Sequence, residues 1–312
     1  MPEIVRITDV SPRDGLQNEP GVVPTADKVT LIELLAAAGV DEIEATSFVS
    51  PTWVPQLGDA EVVLTALRAG GVFGRDRSAP ALSVLVPNEQ GFARALGFHS
   101  AEFPLKIAVF TAASETFNKK NTNATIAESI ARYRAFVPRA SDAGMKVRLY
   151  VSCAIACPYE GKIEPAQVRR VCDELVGVLP SGALERGVAE LDLGDTIGAG
   201  APEDIISLLS IFDEGERASL VLHLHDTHGR AADCVRAGLD SGVRSFDGSV
   251  AGLGGCPFAG TKEKPAPGNI STWLLTRTIH EAGYVTGVDL DALARAAEFA
   301  RRIVGRARGS AV

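Results

Sequence analysis

Residues 4–48 read IVRITDVSPRDGLQNEPGVVPTADKVTLIELLAAAGVDEIEATSF and contain the unit from which the fold is built. Ile4–Val10 is a short apolar, β-branched run, Thr25–Ala38 has apolar residues at helical spacing, and Glu42–Phe48 returns to strand character. Thr25-Ala-Asp-Lys marks the helix start, with Thr25 as N-cap and Asp27 in an acidic first turn. Ala38-Gly39 marks its end. The alternation recurs along the chain. Further candidate strands are Leu82–Val86, Leu105–Thr111, Lys146–Cys153, Val188–Leu193, Ser219–His225 and Ser245–Val250. Helical stretches between them include Asp59–Ala69, Ile126–Ala143, Pro165–Leu179, Pro202–Phe212 and Ala231–Ser241.

Such near-continuous apolar strands suit a parallel sheet covered on both faces. Eight strand–helix units point to an α/β fold, the (β/α)8 TIM barrel, for which about 250 residues is typical. The barrel is expected over about residues 4–285 of one catalytic domain spanning 1–312. Extended loops on the C-terminal face and an extra C-terminal helix, Asp289–Val304, take up the remaining length. An open doubly wound sheet is the rival, because periodicity does not report closure. The tail from Arg301 to Arg308 reads as a solvated, partly frayed helix end.

Hydrophobic residues make up 46% of the chain, ample for a folded core. A net charge of -8 and a pI near 5.3 argue against a nucleic-acid partner. No apolar run approaches the roughly 18 residues that cross a bilayer. The N-terminal residues lack an apolar signal segment, so a cytoplasmic location is expected, with an organelle matrix as the alternative. Five irregularly spaced cysteines are read as reduced thiols.

In a barrel, reactive groups lie at the C-terminal ends of strands and in the loops that follow. The seventh candidate strand leads into VLHLHDTH, residues 221–228. His223 and His225 are two apart and share a face. With added carboxylate or amide oxygens they form a divalent-metal site; a hydrogen-bonded structural pair is the alternative. Asp226 faces the other way and is placed to orient a neighbour, and His228 is given a capping or supporting role. The first strand leads into SPRDGLQN, residues 11–18, where Pro12 and Gly15 fix an unusual turn around Arg13 and Asp14. Asp14 is a hard oxygen ligand within reach of the histidines across a barrel mouth. Arg13 is suited to oxygen charge that develops during reaction, with a structural ion pair as the rival. Glu42, Glu44 and Thr46 share a strand face, and a carboxylate at Glu44 requires a partner, for which Arg13 is the obvious choice. Asp195 sits at the sixth strand's end, either functional or capping the next helix. In GLGGCPF, residues 252–258, three glycines strip side chains from around Cys256. That places the thiol on a mobile loop as a candidate acid or base.

Six segments together resemble the 3-hydroxy-3-methylglutaryl-CoA lyase family of metal-dependent barrel lyases. They are residues 11–20 (SPRDGLQNEP), 44–59 (EATSFVSPTWVPQLGD), 150–163 (YVSCAIACPYEGKI), 193–198 (LGDTIG), 223–226 (HLHD) and 249–258 (SVAGLGGCPF). The resemblance implies a divalent cation, Mg²⁺ or Mn²⁺, held by Asp14, His223, His225 and Asn269. It implies that Arg13 stabilises an enolate, that Glu44 orients Arg13, that Cys256 serves in protonation and in closing the site, and that Asp195 is important for activity. Asp14 is also the first candidate for proton acceptor. The implied reaction is retro-Claisen cleavage of an acyl-CoA, most directly 3-hydroxy-3-methylglutaryl-CoA to acetyl-CoA and acetoacetate, and the family suggests a homodimer.

Two features depart from the family pattern. Pro257–Gly268 is longer than the usual segment and is stiffened by Pro265 and Pro267, and Ile270-Ser-Thr-Trp-Leu274 replaces a run with an acidic pair. They leave open a lyase for another 3-hydroxy-acyl-CoA, citramalyl-CoA or a longer branched analogue. A non-haem iron enzyme, which also uses two histidines and a carboxylate, is the reading from another class. A non-enzymatic metal-binding role is a third.

Overall fold

The computed structural model describes residues 2–73, 79–255 and 268–309. Eight parallel strands close into a barrel: β1 (Arg6–Asp9), β2 (Glu42–Ser47), β3 (Ala81–Leu85), β4 (Leu105–Ala112), β5 (Val147–Ser152), β8 (Ala189–Asp195), β9 (Leu220–Leu224) and β10 (Ser245–Gly248). Pairing of β1 with β10, Arg6 to Asp9 against Ser245 to Gly248, makes the closure and excludes the open sheet. Two-residue strands β6 (Ala156–Cys157) and β7 (Gly161–Lys162) form a hairpin after β5.

Around the barrel lie α1 (Thr25–Ala37), α2 (Ala60–Gly70), α3 (Glu89–Leu96), α4 (Glu115–Thr122), α5 (Ile126–Arg134), α6 (Val137–Asp142), α7 (Pro165–Val176), α8 (Pro202–Leu209), α9 (Glu214–Arg217), α10 (Ala231–Asp240), α11 (Thr272–Glu281) and α12 (Leu290–Gly309). Their apolar faces cover the outward residues of the strands, such as Ile7, Ile43, Val84 and Phe246. Among the described residues no helix is long and apolar enough to cross a membrane.

Three local expectations are corrected. The helix expected over Ile126–Ala143 is two, α5 and α6, because Pro138 has no N–H to continue the helical ladder and the chain leaves helical geometry at Phe136, with φ -131°. Thr25 does not cap α1: Pro24 holds the cap position, and the Thr25 hydroxyl donates to Asp59 at 2.6 Å. The arginine-rich tail is docked rather than frayed. Arg308 makes a two-pronged bond to Glu19 at 2.8 and 2.9 Å, Arg306 reaches Asp27 at 3.0 Å, and Ala307 is buried.

The barrel interior is charged. Arg148, fully buried, donates to Glu190 at 2.5 Å, Asp247 at 2.7 Å and Thr8 at 2.8 Å. Lys106 bridges Glu42 and Glu190. An unpaired buried charge is costly, so these ions persist only as a bonded set. The set forms a rigid polar floor beneath the C-terminal mouth.

Candidate active site

The chain leaving β1 does not relax into a loop. The N–H groups of Arg13, Asp14 and Gly15 all donate to the Val10 carbonyl at 2.8 to 3.2 Å, winding Ser11–Gly15 into a single π-helical turn. Such turns are rare and collect at functional sites. Here the turn swings two consecutive charges into the barrel mouth. Arg13 Nε donates to Glu44 at 2.6 Å, and Nη1 donates to Asp14 at 2.7 Å. The pairing of Glu44 with Arg13 expected from strand parity is therefore present. Burial raises the Glu44 carboxyl, and the guanidinium offsets that rise only in part. Burial opposes charge on Arg13, but Glu44 and Asp14 outweigh it and keep the guanidinium protonated.

His223 and His225 project together from the end of β9, with their Nε2 atoms 3.4 Å apart. On its other side, His223 Nδ1 lies 3.1 Å from Asp247 of β10. Burial lowers the His223 pKa, but Asp247 and Asp14 overcome it and the net shift is upward. His225 has no hydrogen-bonded counterpart to Asp247: burial and the neighbouring imidazole outweigh the pull of Asp14 and lower it to about 4. Burial alone raises Asp14, yet Arg13, the two histidines and Asn269 bring it to about 2. Near neutral pH the cluster thus presents one firm carboxylate and one firmly neutral imidazole.

Asn269 reaches this cluster by backbone pairing. The Ile270 N–H donates to Leu224 O, the Asp226 N–H to Gly268 O and the Ser249 N–H to Ile270 O, which seats residues 268–270 between the ends of β9 and β10. The Asn269 amide then donates to Asp14 at 2.8 Å and to Leu253 O at 3.1 Å.

Asp14, His223 and His225 fit a divalent cation. Their ligand atoms all lie within 4.8 Å of one another. Two ring nitrogens facing each other at 3.4 Å share at most one proton, and a cation that both can ligate relieves that conflict. Asp247 orients His223 as an outer partner orients a metal-bound imidazole.

Other expected residues fall elsewhere. Asp195 turns back on its own loop and accepts from the N–H groups of Ala199 and Gly200 at 3.1 and 2.8 Å. Asp226 accepts from the Ala231 N–H at 3.0 Å and so supports the start of α10, while His228 is exposed. Cys256 and Pro257–Pro267 lie outside the described residues. Reasoning from the sequence missed Asp247 and Tyr150. Tyr150 lies under Arg13, with the guanidinium 5.7 Å from the ring centre, and packs edge-on against His223. Both carry the signal that flagged Glu44, a polar group inside a strand that is otherwise apolar.

The cluster lies in a cavity of about 410 Å³ that also meets Gln17, Ser47, Phe110, Tyr150 and Thr196. Gly254 forms part of its wall at φ +95°, and a Cβ there would meet Asn269 Nδ2 at 2.5 Å and Asp14 Oδ2 at 3.2 Å. Gly254→Ala is expected to weaken metal binding and turnover about tenfold or more, the strain being of order 1–3 kcal/mol. Metal titration by calorimetry checks this; affinity equal to that of the parent protein would refute it.

Residues 4–300 match the HMGL-like family. A cytoplasmic 3-hydroxy-3-methylglutaryl-CoA lyase of Danio rerio is 43% identical across 100% of this chain and 87% of its own length. The HMG-CoA lyase structure from Brucella melitensis is 43% identical, superposes with a TM-score of 0.85, and the match covers 97% of this chain and 99% of that one. An HMG-CoA lyase from Acinetobacter baumannii in complex with coenzyme A and 3-methylmalate is 33% identical with a TM-score of 0.80, covering 97% and 92%. With the match running almost end to end and the barrel shared, this chain belongs to the HMGL-like family.

Proposed function

We propose that this protein is a carbon–carbon lyase that cleaves 3-hydroxy-3-methylglutaryl-CoA to acetyl-CoA and acetoacetate with the help of a divalent cation. The observation that carries the reading is the convergence of Arg13, Asp14, His223 and His225 in one cavity of a chain so similar to such lyases. Retro-Claisen cleavage removes the proton of a tertiary hydroxyl while the bond to the thioester α-carbon breaks. The breaking bond's electrons pass into the thioester carbonyl as an enolate, and a proton returns to the α-carbon.

Asp14, His223 and His225, with Asn269 beside them, would hold Mg²⁺ or Mn²⁺. Such a cation lowers the pKa of a hydroxyl and fixes its orientation. Asp14 would serve as a ligand and also as the first candidate to accept the hydroxyl proton, with its basicity limited because, against the effect of burial, Arg13 and the two histidines bring its carboxyl to about 2. Arg13 keeps its charge and is aimed by Glu44, so it holds the enolate oxygen, where charge appears only as the bond breaks. Asp247 and Tyr150 keep His223 and Arg13 from turning away. Cys256, or a water it positions, returns the proton. Asp195 acts through the shape of the 195–200 loop.

A second reading, cleavage of another 3-hydroxy-acyl-CoA, is favoured by the Pro257–Gly268 departure and by the 3-methylmalate in the Acinetobacter relative. Purified protein with Mg²⁺ is assayed side by side on 3-hydroxy-3-methylglutaryl-CoA and citramalyl-CoA, following acetyl-CoA release. Faster release from the first compound is expected. Negligible turnover of it beside good turnover of the second transfers the assignment, and oxygen consumption dependent on Fe(II) points to the iron chemistry instead.

A further inference from the structure

Between β2 and α2 the chain makes a tight turn in which the N–H groups of Trp53 and Val54 both donate to Ser50 O at 3.0 Å. Trp53 borders the same cavity as Arg13 and Asp14, yet its side chain is 69% exposed. The turn beneath it is braced. Gln56, buried three residues on, accepts from the Val23 N–H at 2.9 Å and donates to Gly21 O at 3.0 Å and Leu16 O at 3.2 Å. Lys28 adds bonds to Gln56 O and Asp59. The indole is therefore presented to solvent by a backbone that is clamped to the loop after β1.

An aromatic side chain of this size has roughly 150–250 Å² to bury, and a fixed platform loses little freedom when a ligand covers it. Lys120 of α4 lies on the same cavity, exposed, with its ammonium 4.8 Å from the Tyr159 ring centre. Among the described residues Lys120 has no carboxylate within ion-pair distance. A flat aromatic face and an ammonium on one cavity suit a ligand with a planar base and phosphates. Resting on the reading of the substrate as a coenzyme A thioester, we propose that Trp53 is the platform on which the nucleobase of coenzyme A stacks, at the exposed rim of the cavity that takes the acyl group.

The chain has two tryptophans, Trp53 and Trp273, and Trp273 sits on α11 under Arg277. In Trp273→Phe protein Trp53 is the one remaining indole, and coenzyme A alone should quench its fluorescence saturably. Trp53→Ala should raise KM for the full acyl-CoA about tenfold, within the roughly 1–3 kcal/mol that a base–aromatic stack contributes, with kcat within about twofold. KM for the corresponding pantetheine thioester, which lacks the nucleotide, should stay unchanged, and Trp53→Phe should recover part of the loss. An equal KM rise for both thioesters, or none for acyl-CoA, overturns the inference. Should the parent protein turn over neither thioester, the lyase reading fails, while the fluorescence titration still decides this one: no quench by coenzyme A overturns it.

Discussion

Arg13→Met lowers turnover by about 10²–10³-fold, the loss typical when one preorganised donor to a developing oxyanion is removed. The effect should fall on kcat and kcat/KM alike, because the guanidinium meets the enolate charge only as the bond breaks. The same change strands Glu44, whose Oε2 bonds Arg13 at 2.6 Å and whose Oε1 is buried without a partner among the described residues. Removing one member of a buried pair costs roughly 3–5 kcal/mol, so melting temperature should fall as well. Arg13→Met/Glu44→Gln separates the two consequences. Neutralising Glu44 should recover most of the melting temperature while turnover stays low. A double variant that regains turnover with its stability would show that Arg13 is structural, and turnover within threefold of the parent in the single variant would remove it from the mechanism.

The second large effect concerns the metal. Treatment with a chelator is expected to reduce turnover to background, and Mg²⁺ or Mn²⁺ to restore it. His223→Ala is expected to cost about 10³-fold or more and to stay low in excess metal, since a Lewis acid contributes several kcal/mol. The barrel should survive, because His223 lies at the mouth, above the Arg148 and Lys106 ion set. Asp247→Asn should give an intermediate loss of about 10–100-fold, the usual effect of weakening an outer partner of a ligating histidine. That graded series distinguishes a metal centre from a structural histidine pair. Turnover indifferent to the chelator, or a His223→Ala protein as active as its parent, would end the metal proposal.

The two departures from the family pattern bear differently on these expectations. Thr272, in the run that replaces the acidic pair, donates to Asp9 at 2.6 Å, and Ser11 also bonds Asp9, so this run is tied to the strand that leads into the Arg13 turn. The Arg13 and His223 tests probe the shared chemistry and are independent of which acyl group the protein prefers.

Much of the site was legible in the sequence because strand geometry is local. Residues two apart face the same way, so His223 with His225, and Glu44 in need of a cation, followed from spacing alone. The eight strands followed from apolar runs, and the end of α1 from Ala38-Gly39, where Gly39 has φ +78°. The Pro138 break was equally local and was overlooked. Asp195 illustrates the limit: its place at a strand end was readable, but not whether the carboxylate would face the cavity or the N–H groups of its own loop.

By itself, then, the sequence determined the strand–helix alternation, the faces on which the charges sit, and the residue types that converge on one chemistry. Closure of the barrel decided the rest. Only when β1 pairs with β10 does Asp247 come to lie beside His223, and only when Arg148 reaches across the interior do Glu190, Asp247 and Thr8 share one guanidinium. Those partners are 24 to 140 residues apart in the chain, and which of them meet depends on strand neighbours and register, which no local pattern of polarity encodes.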